Sequence, residues 1–115
     1  MGFIDFKGEN ENMVKNIFEE KDINYDDVKA FFDRIKSMNM MYLCSKFPLV
    51  YRNIFDLYKN IDFSENELYV FQHYYFYDNS LEQISKYLHY SVVWVKKVKE
   101  ASLHKILDYC NFSIK

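Results

Sequence analysis

A chain of 115 residues is long enough for one domain with a modest core and short for two. Half of its residues are hydrophobic, a fifth are aromatic, and Gly and Pro together number three, which excludes a disordered chain and speaks against turn-rich β architecture. The formal net charge of −2 excludes a generally cationic nucleic-acid binder, yet the charge is uneven: residues 1–79 carry 9 Lys+Arg against 14 Asp+Glu, a net −5, and residues 80–115 carry 6 against 3, a net +3.

The expectation is an all-α fold, a compact helical domain of five to six helices ending in a helix-turn-helix. Gly2, Gly8 and the polar run Glu9-Asn10-Glu11-Asn12 read as a loose arm. A short helix follows, with Met13, Val14, Ile17 and Phe18 on one apolar side. Asn24 or Asp26 then caps a second helix, in which Val28, Phe31, Ile35, Met38 and Tyr42 recur at steps of three and four. That stripe is core or, in a paired protein, the face of a homodimer. Pro48 fits the first turn of a third helix, where its missing N–H costs nothing. Leu49, Val50, Ile54, Leu57 and Tyr58 continue the apolar pattern, and Asn60 and Asp62 mark its end.

Ser64-Glu65-Asn66-Glu67 is a capping box that opens a fourth helix, with Leu68, Phe71 and Tyr75 facing inward. Tyr77-Asp78-Asn79 supplies a polar turn. Ser80 with Gln83 is a second capping box, and Leu81, Ile84 and Leu88 give a helix of about two turns. His89-Tyr90-Ser91 breaks it, Ser91 caps the next helix, and Val95, Val98, Ser102 and Ile106 share one face of about four turns. Small Ser85 lets the two helices approach. The pair divides the chain into an N-terminal helical extension (1–61), bracing or dimerising, and a helix-turn-helix module (62–115), packed together around one continuous core.

The segment from about residue 62 to 108 resembles region 4 of bacterial sigma-70-type factors. Phe63-Ser64-Glu65-Asn66-Glu67 leading to His73-Tyr74-Tyr75 is similar to the cap and aromatic-ended helix of that region's opening. Ser80-Leu81-Glu82-Gln83-Ile84-Ser85 followed by Leu88 is similar to its Ser-Leu-x-Glu-Ile-Ala-x-x-Leu segment. Val95-Lys96-Lys97-Val98, then Ala101 or Ser102, Leu103, Lys105 and Ile106, is similar to its Ile-Arg-Gln-Ile-x-x-x-Ala-Leu-x-Lys-Leu helix. Through Tyr74-Tyr75, Asp78 and Ser80-Leu81 the segment also resembles a small helix-turn-helix family associated with the signal-recognition-particle operon. His89 stands where that pattern often has glycine, and Val92-Val93-Trp94 where it tends to present Arg, Glu, Thr or Gln.

The resemblance implies a transcription regulator of bacterial or phage type whose second helix docks in the major groove, with Ser91, Val92, Val93, Trp94, Lys96, Lys97 and Glu100 at duplex DNA. Lys86 and Lys99 join Lys96 and Lys97 as candidate phosphate contacts. Val92, Val93 and Trp94, outside the core phase of Val95 and Val98, read as an interaction surface. The alternative is a protein-binding module of the same fold that engages RNA polymerase, a sigma factor or another regulator. Neither reading is an enzyme, and no cofactor is expected. His73, His89 and His104 lack zinc-ligand spacing with the cysteines or carboxylates, so no metal is expected either. Cys44 and Cys110 read as buried reduced thiols. With neither a leader-like start nor an apolar run of spanning length, the expected location is cytoplasmic, away from the membrane.

Overall fold

The computed structural model describes residues 16–19, 22–36 and 38–113, and within them six α-helices run α1 (Tyr25–Ile35), α2 (Met40–Lys46), α3 (Pro48–Asn60), α4 (Glu65–Tyr75), α5 (Leu81–Leu88) and α6 (Val92–Asp108). A single π-helical turn, Tyr109–Ser113, follows α6. The expected arm through Asn12, with Met13 and Val14, lies outside the described residues. Ile17 and Phe18 occupy a turn, Ile17 buried and Phe18 half-buried against the core.

Side-chain caps set most of the helix starts. Asn24 and Asp27 form a reciprocal capping box on α1, Ser64 and Glu67 on α4, and Ser80 and Gln83 on α5. Pro48 opens α3 without a side-chain cap, its fixed φ being ready-made for the first turn. The Val28-to-Tyr42 stripe is not one helix, however. It stops at Ile35, and α2 begins five residues later behind Asn39, whose side chain accepts the Tyr42 N–H at 2.7 Å. An Asn in that position offers the backbone a turn in place of a continued helix. Val28, Phe31, Ile35 and Met38 are nevertheless buried together in the core.

Helix α6 is the hub: α1, α4 and α5 all pack on it. Two apolar clusters meet along α4. The larger joins Phe31 and Phe32 of α1, Leu43 of α2, Val50, Ile54 and Leu57 of α3, Phe71 and Tyr75 of α4, and Leu103, Ile106 and Cys110 at the C-terminal side. The smaller, Val70, Ile84 and Val95, is the private core of α4, α5 and α6. The main core therefore draws on both sides of residue 62. Its centre is aromatic: Phe32 lies 5.2 Å from Phe71 and 5.6 Å from Tyr75, ring centroid to centroid. At the far end, Asn111 donates to the Ile23 carbonyl at 2.9 Å and accepts the Ile23 N–H at 3.2 Å, closing the chain across 88 positions.

Some positions depart from expectation. Leu49 is exposed because it falls off the face carried by Val50, Ile54 and Leu57. Cys44 is exposed, and Cys110 is buried as expected; no disulfide joins them. No helix among the described residues is long and apolar enough to cross a membrane.

Because Phe32 bridges the two halves, Phe32→Ala is expected to destabilise by about 3–5 kcal/mol, the range for emptying a large buried aromatic site. Denaturant unfolding followed by far-ultraviolet circular dichroism and by Trp94 fluorescence should give coincident single transitions in both proteins.

Candidate nucleic-acid interface

Helices α5 and α6 are joined by the three residues His89, Tyr90 and Ser91. The turn closes because His89 adopts a left-handed backbone, φ 63° and ψ 37°, as the helix C-cap. Ser85 ties it from both sides: its carbonyl accepts the N–H groups of His89 and Tyr90, and its hydroxyl donates to the Tyr90 carbonyl. Ser85 thus does more than keep the helices close. Ser91 then caps α6, its hydroxyl oxygen accepting the Trp94 N–H at 3.0 Å.

From that cap, α6 divides cleanly. Val95, Lys99, Ser102, Leu103 and Ile106 are buried, and Val98 packs half-buried beside Val95. Val92, Val93, Lys96 and Lys97 are exposed, with Glu100 at the margin. Steps of three and four (92, 96, 100 and 93, 96, 97, 100) place those five on one outward face. Of the two valines Val93 is the more exposed, 64% against 37% at Val92. The structure therefore brings together six of the seven predicted positions: Ser91 at the start, then Val92, Val93, Lys96, Lys97 and Glu100 along one side.

Trp94 stands apart. It is half-buried against Val70, Ile84 and Val95, and its ring stacks on Tyr90 with centroids 3.9 Å apart. The indole is a wall of the small core with one side turned to the turn, rather than a free projecting ring. Lys99 also departs from expectation. It follows Val95 by four residues, in the core phase, and is buried, with its ammonium 4.6 Å from the Tyr74 ring centroid. Burial holds its pKa below the ordinary lysine value, with Asp33 pulling the other way. Lys36 reaches the same ring at 4.6 Å and pairs with Asp78 at 2.9 Å. The sequence signal for Lys99 was its spacing from Val95; what hid it was its charge.

Lys105, a further lysine of α6, is likewise committed to structure. Its ammonium meets Glu67 Oε1 at 2.6 Å and the Asp62 carbonyl at 2.7 Å, while the Ser102 hydroxyl, buried, sits 3.2 Å from the Glu67 carbonyl. These contacts lock α6 onto the α4 cap. The lysines left exposed around the helix pair are Lys86, Lys96 and Lys97.

Sequence reasoning missed an aromatic ladder on the other side of the pair. Tyr69 stacks on His73 at 3.9 Å and on Tyr87 at 5.5 Å, and His73 meets Tyr77 edge-on at 4.9 Å. Asn79 lies 3.2 Å from His73 Nδ1, and Tyr69, His73, Asn79 and Tyr87 border a hollow of about 370 Å³. Its signal was the i, i+4 spacing of Tyr69, His73 and Tyr77. Among the described residues no group of three His, Cys, Asp or Glu side chains is placed to hold a metal ion. No protein-family model, curated protein or solved structure matches the chain.

Two substitutions probe how this face is held. Burial raises the Glu67 pKa, but hydrogen bonds from Lys105 and the Ser64 backbone outweigh that and hold it below the ordinary value. Its stabilising effect is then complete above the unfolded value and drains away as pH falls through the lower folded one. Glu67→Gln, which keeps the capping acceptor, should cost roughly 1 kcal/mol at neutral pH. The difference from the parent chain should vanish in acid, as read by denaturant titrations from pH 7 to pH 2.5. At the turn, a left-handed side-chain residue costs about 1–2 kcal/mol, of which glycine's larger unfolded-state entropy takes back about 0.5–1. His89→Gly should therefore raise stability by roughly 0.5–1 kcal/mol, seen as a higher denaturation midpoint.

Proposed function

We propose that this protein is a cytoplasmic DNA-binding regulator of transcription of the sigma-70 region 4-like type, with α6 docking in the major groove of duplex DNA. The observation that carries this reading is the division of α6: one side seated in two cores, the other offering Val92, Val93, Lys96, Lys97 and Glu100 to solvent. A helix about 10–12 Å across suits a groove about 12 Å wide. Its first turn also brings backbone N–H groups that have no intrahelical acceptor, at the positive end of the helix dipole, where a phosphate is favoured. Lys86, Lys96 and Lys97 add the charge that holds a phosphate backbone, and the duplex requires nothing of the acidic N-terminal half. The roles are positional and electrostatic; no catalytic chemistry belongs to this reading.

A second reading rests on the same edge. Val93 is well exposed and lies beside the Tyr90–Trp94 stack, a combination that suits a protein partner such as RNA polymerase or a sigma factor. Under that reading the lysines are a polar rim.

Binding of the full chain to a labelled duplex, titrated from low to moderate salt, separates the two. The DNA reading expects affinity to fall linearly on a double-logarithmic salt plot, with Lys96→Gln and Lys97→Gln each reducing the slope by about 1. Trp94, the single tryptophan, should report the same event by fluorescence. Absence of any salt-dependent association at low ionic strength sinks the DNA reading and leaves the protein-binding one.

A further inference from the structure

We infer that α6 reads thymine through its C5-methyl group, with Val93, seconded by Val92, as the specificity-determining contact. This rests on the DNA-binding reading above and names what that site would recognise.

The inference follows from what the first turn of α6 can present. Of its side chains, exposed Ser91 is held in place by accepting the Trp94 N–H and keeps a single O–H donor, which cannot make a paired contact to one base, and Trp94 is half-buried against the small core and stacked on Tyr90. The exposed side chains left in that turn are Val92 and Val93. Neither has a donor or acceptor, so neither can make the paired hydrogen bonds by which side chains distinguish guanine, adenine or cytosine. The major-groove edges of the four bases carry one apolar group, the thymine methyl. A valine pressed on any other base edge strips water from a donor or acceptor and returns nothing, so the same contact both rewards thymine and penalises its rivals. Lys96 and Lys97, exposed one turn further along the same face, supply the complementary charge that brings this apolar edge down onto a polyanion. The division of labour is then plain: lysines position, valines specify.

Thymine and uracil differ at this edge by the methyl alone, which makes the inference sharp. The full chain is used to select its preferred duplex from a randomised 20-base-pair pool, and that duplex is remade with deoxyuridine for thymidine one position at a time. The expected result is at least one position where losing the methyl weakens binding about fourfold, the effect of one buried methyl-sized group. Val93→Ala, at a position exposed enough to leave the fold intact, should weaken binding to the thymidine duplex by a similar factor. The variant should show no further loss when deoxyuridine is placed at that same position, since the two changes remove one contact. If every deoxyuridine duplex binds the parent chain as tightly as the thymidine one while the salt dependence persists, methyl reading is overturned and the DNA-binding reading stands. If methyl loss matters equally in the parent and in both Val92→Ala and Val93→Ala, the valines are not the readers and the inference fails. If selection recovers no duplex and no salt-dependent binding exists, both readings fall, and the apolar edge belongs to a protein partner.

Discussion

Helix α4 is buried on two sides at once, and the demand falls on two adjacent residues, Val70 and Phe71, both without solvent exposure. Phe71 faces the aromatic centre formed with Phe32 and Tyr75, whereas Val70 faces Ile84 and Val95 of the helix pair. A helix presents consecutive residues about 100° apart, so neighbours can belong to different clusters only if the helix is the wall between them. That shared wall makes the pair a dependent structure. Its own three-residue core could not hold α5 in place without α4, and α4 is fixed by the N-terminal helices. The aromatic density on both sides of residue 62 thus has a structural use, joining the N-terminal helices to α4 and α6.

On α6 the same economy sorts the cations. Lysines with partners are structural: Lys99 on the Tyr74 ring, Lys105 between Glu67 and the Asp62 carbonyl. Lysines without such partners among the described residues, Lys96 and Lys97, lie on the outward face. The positive balance of the C-terminal third therefore overstates its free positive surface, because part of it is consumed in holding the helix. What remains is a modest basic fringe around an apolar edge.

Much of this was legible in the sequence. The capping boxes at Ser64 and Ser80, the Ser91 cap, Pro48 at a helix start and the break at His89 all rest on interactions within a few residues, and local chemistry is what a sequence displays directly. The main buried faces of α3 and α6, and Phe71 and Tyr75 on α4, followed from spacing for the same reason. One failure is local: the break between α1 and α2 came from Asn39 overriding a continuous apolar stripe. The others lie where a distant partner decides. Lys99 fits the core phase, yet its charge pointed outward until the Tyr74 face, from another helix, came into view. Trp94 looked free because the small core that receives its indole is built by α4 and α5. Val70 escaped notice since one apolar face of α4 was expected and there are two.

The paired hydrogen bonds between Ile23 and Asn111 bear on how the chain finds its fold. Helical proteins usually fold quickly because their contacts lie close in sequence. Here α1 and the turn after α6 meet across 88 positions, and closing so long a loop carries an entropic penalty that must be met before the contacts it brings return anything. The local hairpins, α2 with α3 and α5 with α6, can form early and cheaply, whereas seating α1 on α6 is the step that waits on chain diffusion. Because α4 is shared between the two cores, the helix pair gains its fixed attitude only as that long loop closes.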